Sequence, residues 1–254
     1  MLSKTLRTEL NDCLKTLRLS SIKEIYDCEA ENMSREGLGY QEYLLQLLKI
    51  ECDKRRNNRI ERSLRESKLP LDKTLSSFDR NRLPQKLKHQ LNVILEGSFL
   101  ERRENILAFG NPGSGKTHLL CAVGQELILQ GYRVYFSSCS LLIQELLREK
   151  RELRLDRMLN KLSKFDALIL DDIGYIQQSR EEMEVFFTLL AQRYERGSLM
   201  ITSNLPFSKW ETIFKDPMTT AAAIDRLVHH SIILELNLNS YRLEQAKKEN
   251  KHEE

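Results

Sequence analysis

The sequence predicts an α/β protein, a five-stranded parallel sheet covered by helices on both faces and preceded by a small all-helical domain. Three observations carry that prediction. From residue 104 onward, short apolar stretches alternate with helical ones, the pattern of a sheet buried on both sides. The first apolar stretch runs directly into Gly110-Asn-Pro-Gly113-Ser-Gly115-Lys116-Thr117, which reads G-x-x-x-x-G-K-T. The first 69 residues contain no comparable strand and instead repeat leucines at helical spacing.

In the N-terminal region Leu2, Leu6, Leu10, Leu14 and Leu17 form one stripe. Ser21-Ile-Lys-Glu24 has the form of a capping box and predicts a second helix running to about Met33. Gly37 and Gly39 punctuate the chain, and a third helix is expected from Gln41 to about Ser67. Its first half carries Tyr43, Leu44, Leu47, Leu48 and Ile50. Its second half changes character. Lys54, Arg55, Arg56, Arg59, Arg62, Arg65 and Lys68 stand there against Glu61 and Glu66, a local charge of +5. Arg55, Arg59 and Arg62 recur at i, i+4 and i+7 and share a face. Such a run is either a solvated helix face or a surface for phosphate backbones. The bias of sign and the preference for arginine favour the second. Nothing in it resembles a base-reading motif, so little sequence specificity is expected.

Leu69-Pro70 ends this helix and places a boundary near residue 70. The expected division is a helical domain over 1–69, a connector over 70–103 with a helical piece from Lys86 to Phe99, a core over 104–245 and a charged tail over 246–254. Within the core the strands are Asn105–Phe109, Tyr132–Phe136, Phe165–Leu170, Ser198–Thr202 and Ser231–Leu236. The helices are His118–Leu129, Ser140–Lys164, Glu181–Arg196 and Met218–His230. The helix from Ser140 is itself rich in arginine and lysine.

The chemistry concentrates at strand ends. In the loop after the first strand, glycines permit turns that a Cβ would block. Backbone N–H groups and the following helix N-terminus then bind phosphate oxygens. Gly110, Asn111, Pro112, Gly113, Ser114, Gly115, Lys116 and Thr117, with His118 next to them, are the expected nucleotide-binding residues. Lys116 should reach the β- and γ-phosphates and the Thr117 hydroxyl should hold Mg²⁺. The side chains of His118, His229, His230 and Trp210 have no evident partners and read as surface or packing residues.

Leu168-Ile-Leu-Asp171-Asp172 is an apolar strand ending in two carboxylates. Asp171 is placed to complete the Mg²⁺ site, and Asp172 to orient and polarise a water at the γ-phosphate. Asn204, at the tip of Thr202-Ser203-Asn204, could bond that water or the γ-phosphate. Arg226, in Ala-Ala-Ala-Ile-Asp-Arg226, is either a surface residue paired with Asp225 or an arginine finger supplied from a neighbouring subunit.

Bulk properties bound the remaining choices. A chain of 254 residues, 41% hydrophobic and 30% charged, can bury a core without staples. A net charge of +3 means any nucleic-acid surface must come from local clustering. The five cysteines match no zinc or redox spacing, and Cys121 and Cys139 fall in apolar stretches as buried thiols. The N-terminus lacks the apolar core of a signal peptide and no run approaches membrane-spanning length, so a cytoplasmic protein is expected.

Over about residues 1–245 these features resemble the IstB type of insertion-sequence transposition helper ATPase, in the DnaC/DnaA-like group of AAA+ proteins. The resemblance is carried by Gly110 to Leu119, Leu168 to Gly174, Thr202-Ser203-Asn204, Ala222 to Leu227 and Ser240-Tyr241-Arg242. The basic segment around Arg55 to Arg65, Leu69-Pro70 and Lys73-Thr74-Leu75 add to it. It implies a P-loop AAA+ core in which Asp171 is the Walker B aspartate, Asp172 the catalytic carboxylate, Asn204 the first sensor and Arg226 the finger acting in trans. It implies ATP with Mg²⁺, and a homo-oligomer with ATP at subunit interfaces that assembles on duplex DNA and recruits or activates a transposase. The N-terminal region would serve assembly and DNA binding, with no membrane partner. About 18 residues follow the last strand, so the helical lid is expected to be absent or truncated, and the resemblance leaves the second sensor open, with Arg242 the one candidate for part of its role. A DnaC-like replicative helicase loader is the nearest alternative, because its core would look nearly the same. A metabolic P-loop kinase is disfavoured, since no acceptor-substrate segment is visible.

Overall fold

A computed structural model of the chain describes residues 4–37, 39–173, 179–206, 209, 210 and 217–241. Two compact units are present, Met1–Arg62 and Ser63–Glu254.

The first unit is built from α1 (Lys4–Thr16), α2 (Ser20–Glu36) and most of α3 (Tyr40–Ser67). Leu14, Ile22, Tyr26 and Leu47 form its core, and Leu10, Leu19, Ile25 and Tyr43 pack against it. The expected capping box at Ser21 does not form. Leu19 is the N-cap, with no side-chain bond, and Ser21 and Glu24 lie inside α2. The cap comes from α3 instead. Glu51 is 4% exposed, and its Oε2 accepts from the backbone N–H groups of Ser21 at 2.9 Å and Ile22 at 3.4 Å. A helix N-terminus needs an acceptor, and a buried carboxylate from a neighbouring helix serves as well as a local serine. Gly37, at φ 68°, closes α2 by donating to Met33 O.

The boundary between the units falls at Arg62/Ser63 rather than at residue 70. Helix α3 is continuous through it, and its last turn belongs with the core. Ser67 is buried, Glu66 pairs with Arg133 at 3.1 Å, and Lys68 Nζ donates to Tyr135 OH at 2.9 Å.

The second unit continues with α4 (Gln85–Leu95), α5 (Ser98–Glu101), β1 (Asn105–Gly110), α6 (Lys116–Leu129), β2 (Val134–Ser138), α7 (Cys139–Arg151) and α8 (Leu155–Leu162). Then come β3 (Ala167–Ile173), α9 (Arg180–Arg193), β4 (Ser198–Ser203), α10 (Pro217–Val228) and β5 (Ser231–Leu236). The sheet order is β2-β3-β4-β1-β5, and every pairing is parallel. Strand β1 lies between β4 and β5, while its helix α6 leads across to β2 at the far edge. That reversal opens a crevice at the carboxyl ends of the strands.

Both faces are covered, as the unbroken burial of Ala167–Leu170 in β3 and Ser198–Ser203 in β4 requires. Helix α6 packs along β1, β2, β3 and β4, with α4 beside it. Helix α7 packs on β2 and β3 and against α9, burying Leu142, Ile143, Leu146, Phe186 and Leu189. At the amino ends of the strands, the buried Arg193 donates to Phe165 O at 2.7 Å, Asp166 O at 2.9 Å and Ser198 O at 3.1 Å. Burial pushes its guanidinium down to about 10, against the favourable charge of Asp166.

Two expected single helices are each two. The Ser140–Lys164 stretch breaks after α7, at Leu153, which takes φ 56° and is 94% exposed. No local breaker marks the spot. The break lets Met158, Leu159 and Leu162 of α8 turn inward. The Lys86–Phe99 piece divides at Gly97, φ 78°, into α4 and α5.

Candidate nucleotide-binding site

Parallel strands bring their carboxyl ends to one edge, so the loop after β1, the acidic end of β3 and the polar end of β4 meet there. The loop is tightly seated. Gly113 sits at φ 78°, and a Cβ on it would collide with Ser240. Gly115, at φ 96°, is the N-cap of α6, and a Cβ there would lie 3.1 Å from the Phe78 ring. Only glycine meets both demands.

Lys116 is buried. Its Nζ donates to Gly110 O at 2.8 Å, Asn111 O at 2.9 Å and Asn204 Oδ1 at 2.6 Å. Burial lowers its pKa, and the charges of Asp172 and Asp171 oppose that shift. Asn204 Nδ2 in turn donates to Asp172 Oδ1 at 2.8 Å. Burial raises the pKa of Asp172, with Asp171 adding to the shift and Lys116 resisting it. Thr202 Oγ1 donates to Asp171 Oδ1 at 2.7 Å. Lys116, Asn204, Asp172, Thr202 and Asp171, drawn from three strand ends, thus form one hydrogen-bonded chain.

They border a cleft of about 490 Å³ that is also lined by Pro112 to His118. The residues fit a nucleoside triphosphate with Mg²⁺. Lys116 and the first turn of α6 face the cleft, and the buried Ser114 Oγ has no hydrogen-bond partner among the described residues. No cluster of three His, Cys, Asp or Glu able to hold a metal occurs among the described residues. The donor set on offer is the Thr117 hydroxyl and Asp171, which suits a magnesium ion that takes its other ligands from phosphate and water.

The connector supplies the rest of the lining: Lys73, Ser77, Phe78, Asp79 and Arg82, joined by Leu238 and Tyr241 after β5. Sequence reasoning assigned none of these to the site, although Lys73 and Tyr241 fell within recognised segments. His118 and Gln125 tie the connector down. His118 Nε2 donates to Thr74 O at 3.0 Å and lies 3.1 Å from Ser77 Oγ, and its ring meets Phe78 edge-on at 5.3 Å. Gln125 holds Pro70 O and Lys73 O. Tyr241 N donates to Gly113 O at 3.0 Å, while Arg82 lies 5.2 Å from the centre of the Tyr241 ring and donates to Asn239 O. Trp210 is fully buried and donates to Leu205 O. Tyr194 OH and His229 Nδ1 lie 3.4 Å apart, and His229 meets His230 edge-on.

Arg226 is not in this cleft. It is exposed near the end of α10, beside Leu227, whose carbonyl accepts from Asn105 Nδ2 at the start of β1. That is the opposite end of the sheet from the phosphate loop. Arg242 lies outside the described residues, as does most of the segment on which the absence of a lid would be judged.

Of the basic residues on α3, Lys54, Arg56, Arg59, Arg62 and Arg65 are exposed. Arg55 is engaged within its own unit, its Nε donating to Glu51 Oε1 and its Nη2 to Arg18 O, each at 2.8 Å. The shared face of Arg55, Arg59 and Arg62 is therefore partly structural. At the end of α7 and the N-cap of α8, Lys150, Arg151 and Arg154 pair with Glu184, Glu181 and Glu149. All five cysteines are free, and burial pushes the thiols of Cys121 and Cys139 up to about 12. No helix among the described residues is long and apolar enough to cross a membrane.

Residues 12–249 match the family described as IstB-like ATP binding protein. The chain belongs to this family. A putative insertion sequence ATP-binding protein of Sinorhizobium fredii is 45% identical over 240 residues, 94% of this chain and 80% of the relative. The insertion sequence IS21 putative ATP-binding protein of Pseudomonas aeruginosa is 38% identical, over 94% of this chain and 91% of the relative. Among solved structures, the DnaC helicase loader superposes with a TM-score of 0.57 at 19% identity, covering 65% of this chain and 97% of that one. AMPPCP-bound DnaA from Aquifex aeolicus superposes with a TM-score of 0.56 at 24% identity, covering 73% of this chain and 57% of that one. These likenesses show that the IstB-like chain has the fold of DnaC and DnaA.

Proposed function

We propose that this IstB-like chain is the ATP-hydrolysing helper of an insertion sequence, assembling as a homo-oligomer on duplex DNA and recruiting or activating a transposase. The observation that carries the reading is the location of Arg226. Within one copy it lies at the wrong end of the sheet for its own cleft, so a finger role requires a second copy.

In this reading the loop amides and Lys116 bind the β- and γ-phosphates. Thr117 and Asp171 would hold Mg²⁺, which would supply positive charge against that developing on the phosphates. Asp172 accepts a hydrogen bond from the attacking water, and Asn204 orients it. Entry of the triphosphate draws Lys116 from Asn204 toward the phosphate. Arg226 of the next copy stabilises the charge spread over the γ-phosphoryl oxygens. The exposed residues Lys54, Arg56, Arg59, Arg62 and Arg65 contact the DNA backbone, with Arg55 serving mainly to brace α1 and α2. The unit Met1–Arg62, with the exposed end of α3, serves DNA binding and assembly, the connector over 70–103 supplies one side of the cleft, and 104–245 form the ATPase core.

Measuring particle size with ATP, with and without duplex DNA of graded length, tests this. Oligomers whose size grows with DNA length support the helper. A stoichiometric complex with a hexameric replicative helicase would replace it with a DnaC-like loader.

A further inference from the structure

Asp171 and Asp172 are neighbours in β3, and neighbours in a regular strand point to opposite faces of the sheet. Both nevertheless line the cleft. The departure from regularity is local. Strands β3 and β4 stay in register through Leu170 opposite Ile201 and resume at Ile173 opposite Ser203. Asp171 and Asp172 together therefore stand opposite the single residue Thr202, which is the residue count of a β-bulge. Asp172 takes φ 61°, a left-handed conformation that an L-residue keeps only when its surroundings impose it.

Thr202 imposes it. The residue is 1% exposed, and its backbone is held by pairing with Ala108 of β1. The Asp172 N–H donates to Thr202 Oγ1 at 2.7 Å, and Thr202 Oγ1 donates to Asp171 Oδ1 at 2.7 Å. The directions are forced. A backbone amide can only donate, so the hydroxyl accepts there, and its one proton is left for the carboxylate. Beyond the bulge, Ser203 Oγ donates to Ile173 O at 3.0 Å and clips the strand back into line.

We propose that Thr202 is a positioning residue for ATP hydrolysis, its single hydroxyl aiming both carboxylates at once. The donated bond fixes the side chain of Asp171 as a magnesium ligand. The accepted bond replaces the ladder bond lost at the bulge and turns Asp172 into the cleft, where Asn204 receives it. The proposal rests on the ATPase reading of the site but adds a residue to it. The chemistry needs two adjacent acids on one side of a strand, and a β-branched residue with a hydroxyl at the opposing position provides that arrangement.

Thr202→Val tests it, because the volume and branching remain and the hydroxyl is lost. With the full chain, duplex DNA, ATP and Mg²⁺, kcat should fall roughly 10- to 100-fold while KM for ATP stays within about threefold. The Mg²⁺ concentration that half-saturates binding of a fluorescent non-hydrolysable ATP analogue should rise by a similar factor of roughly 10 to 100. Analogue binding without Mg²⁺ should not change. Thr202→Ser should return both readouts to near those of the unmodified chain. Thr202→Cys, a weaker donor, should fall between and provides a second measure if the valine variant does not fold. A valine variant with unaltered kcat and Mg²⁺ dependence, or a serine variant as impaired as valine, overturns the proposal while leaving the ATPase reading intact. Absence of turnover in the unmodified chain overturns both.

Discussion

The two ends of the sheet handle buried and half-buried polar groups in different ways. At the amino ends of the strands, Arg193 and Asn105 bond almost entirely to the main chain: Phe165 O, Asp166 O and Ser198 O for the one, Leu227 O and Leu199 N for the other. At the carboxyl ends, Lys116 also holds Gly110 O and Asn111 O, and the Asp172 amide holds Thr202 Oγ1, but Lys116–Asn204, Asn204–Asp172 and Thr202–Asp171 are joined side chain to side chain. Main-chain partners are fixed by the fold, so the first set are staples. Side-chain partners can be exchanged, so the second set can rearrange around a ligand at little cost to the fold. The contrast separates structural from functional polarity without reference to any relative.

Each end can be broken separately. The largest expected effect is at the carboxyl end with its trans partner. Arg226→Ala should lower DNA-assembled ATP turnover by about 10³- to 10⁵-fold with nucleotide binding intact. Mixing that variant with Asp172→Asn should recover part of the rate, since an intact cleft can then meet an intact arginine. Failure of the mixture to recover any turnover would assign Arg226 to its own copy or to the surface.

Asp172→Asn alone should lower kcat by roughly 10²- to 10⁴-fold, the usual range for removing a positioned acid or base. Affinity for the ATP analogue should hold or rise, because a half-buried carboxylate beside the phosphate loop is gone. A parallel loss of affinity would make Asp172 a scaffold residue.

Arg193→Met is the counterpart at the amino end. It removes the bonds that Arg193 gives to the carbonyls of Leu162, Phe165, Asp166 and Ser198 and should cost about 2–4 kcal/mol of stability, read as a lowered denaturant midpoint. The folded fraction should bind nucleotide normally. Weakened binding there would show that the two ends are coupled.

The smallest effect lies in the helical unit. Burial opposes ionisation of Glu51, but the bonds from Arg55, Ser21 and Ile22 outweigh it and hold its pKa below the usual glutamate value. Its stabilisation is therefore complete above the unfolded value of about 4.3 and disappears as pH falls through the lower folded value. Glu51→Gln should cost about 1–2 kcal/mol near neutrality and remove that acid-dependent step. Hydrogen exchange at the Ser21 and Ile22 amides is the direct measurement. Equal protection in both proteins would remove Glu51 as the cap.

Much of this was legible in the chain because its signals are local. The glycine loop, the run Leu168 to Asp172 and the strand Ser231–Leu236 all declare themselves within a few residues, and β5 has the bounds expected of it. The break at Leu153 was not legible. Nothing in Arg151-Glu-Leu-Arg154 opposes a helix, and the gain that breaks it, burial of α8, is made against distant residues. The capping box at Ser21 was misleading for the same reason, since the acceptor that caps α2 lies on α3.

By itself the sequence determined which chemistry is present: a phosphate cradle, a paired acid, a polar strand tip and an arginine near a helix end. Short-range sterics and hydrophobic alternation suffice for that, because each motif is complete within its own segment. Tertiary structure decided how those groups face one another. Only the pairing of β3 with β4 sets Thr202 opposite two aspartates, and only the folded connector brings Phe78 and Arg82 to the cleft. Only the direction of the strands separates Arg226 from the loop it would serve. Those relations depend on register and strand order, which arise from packing among residues far apart in the chain.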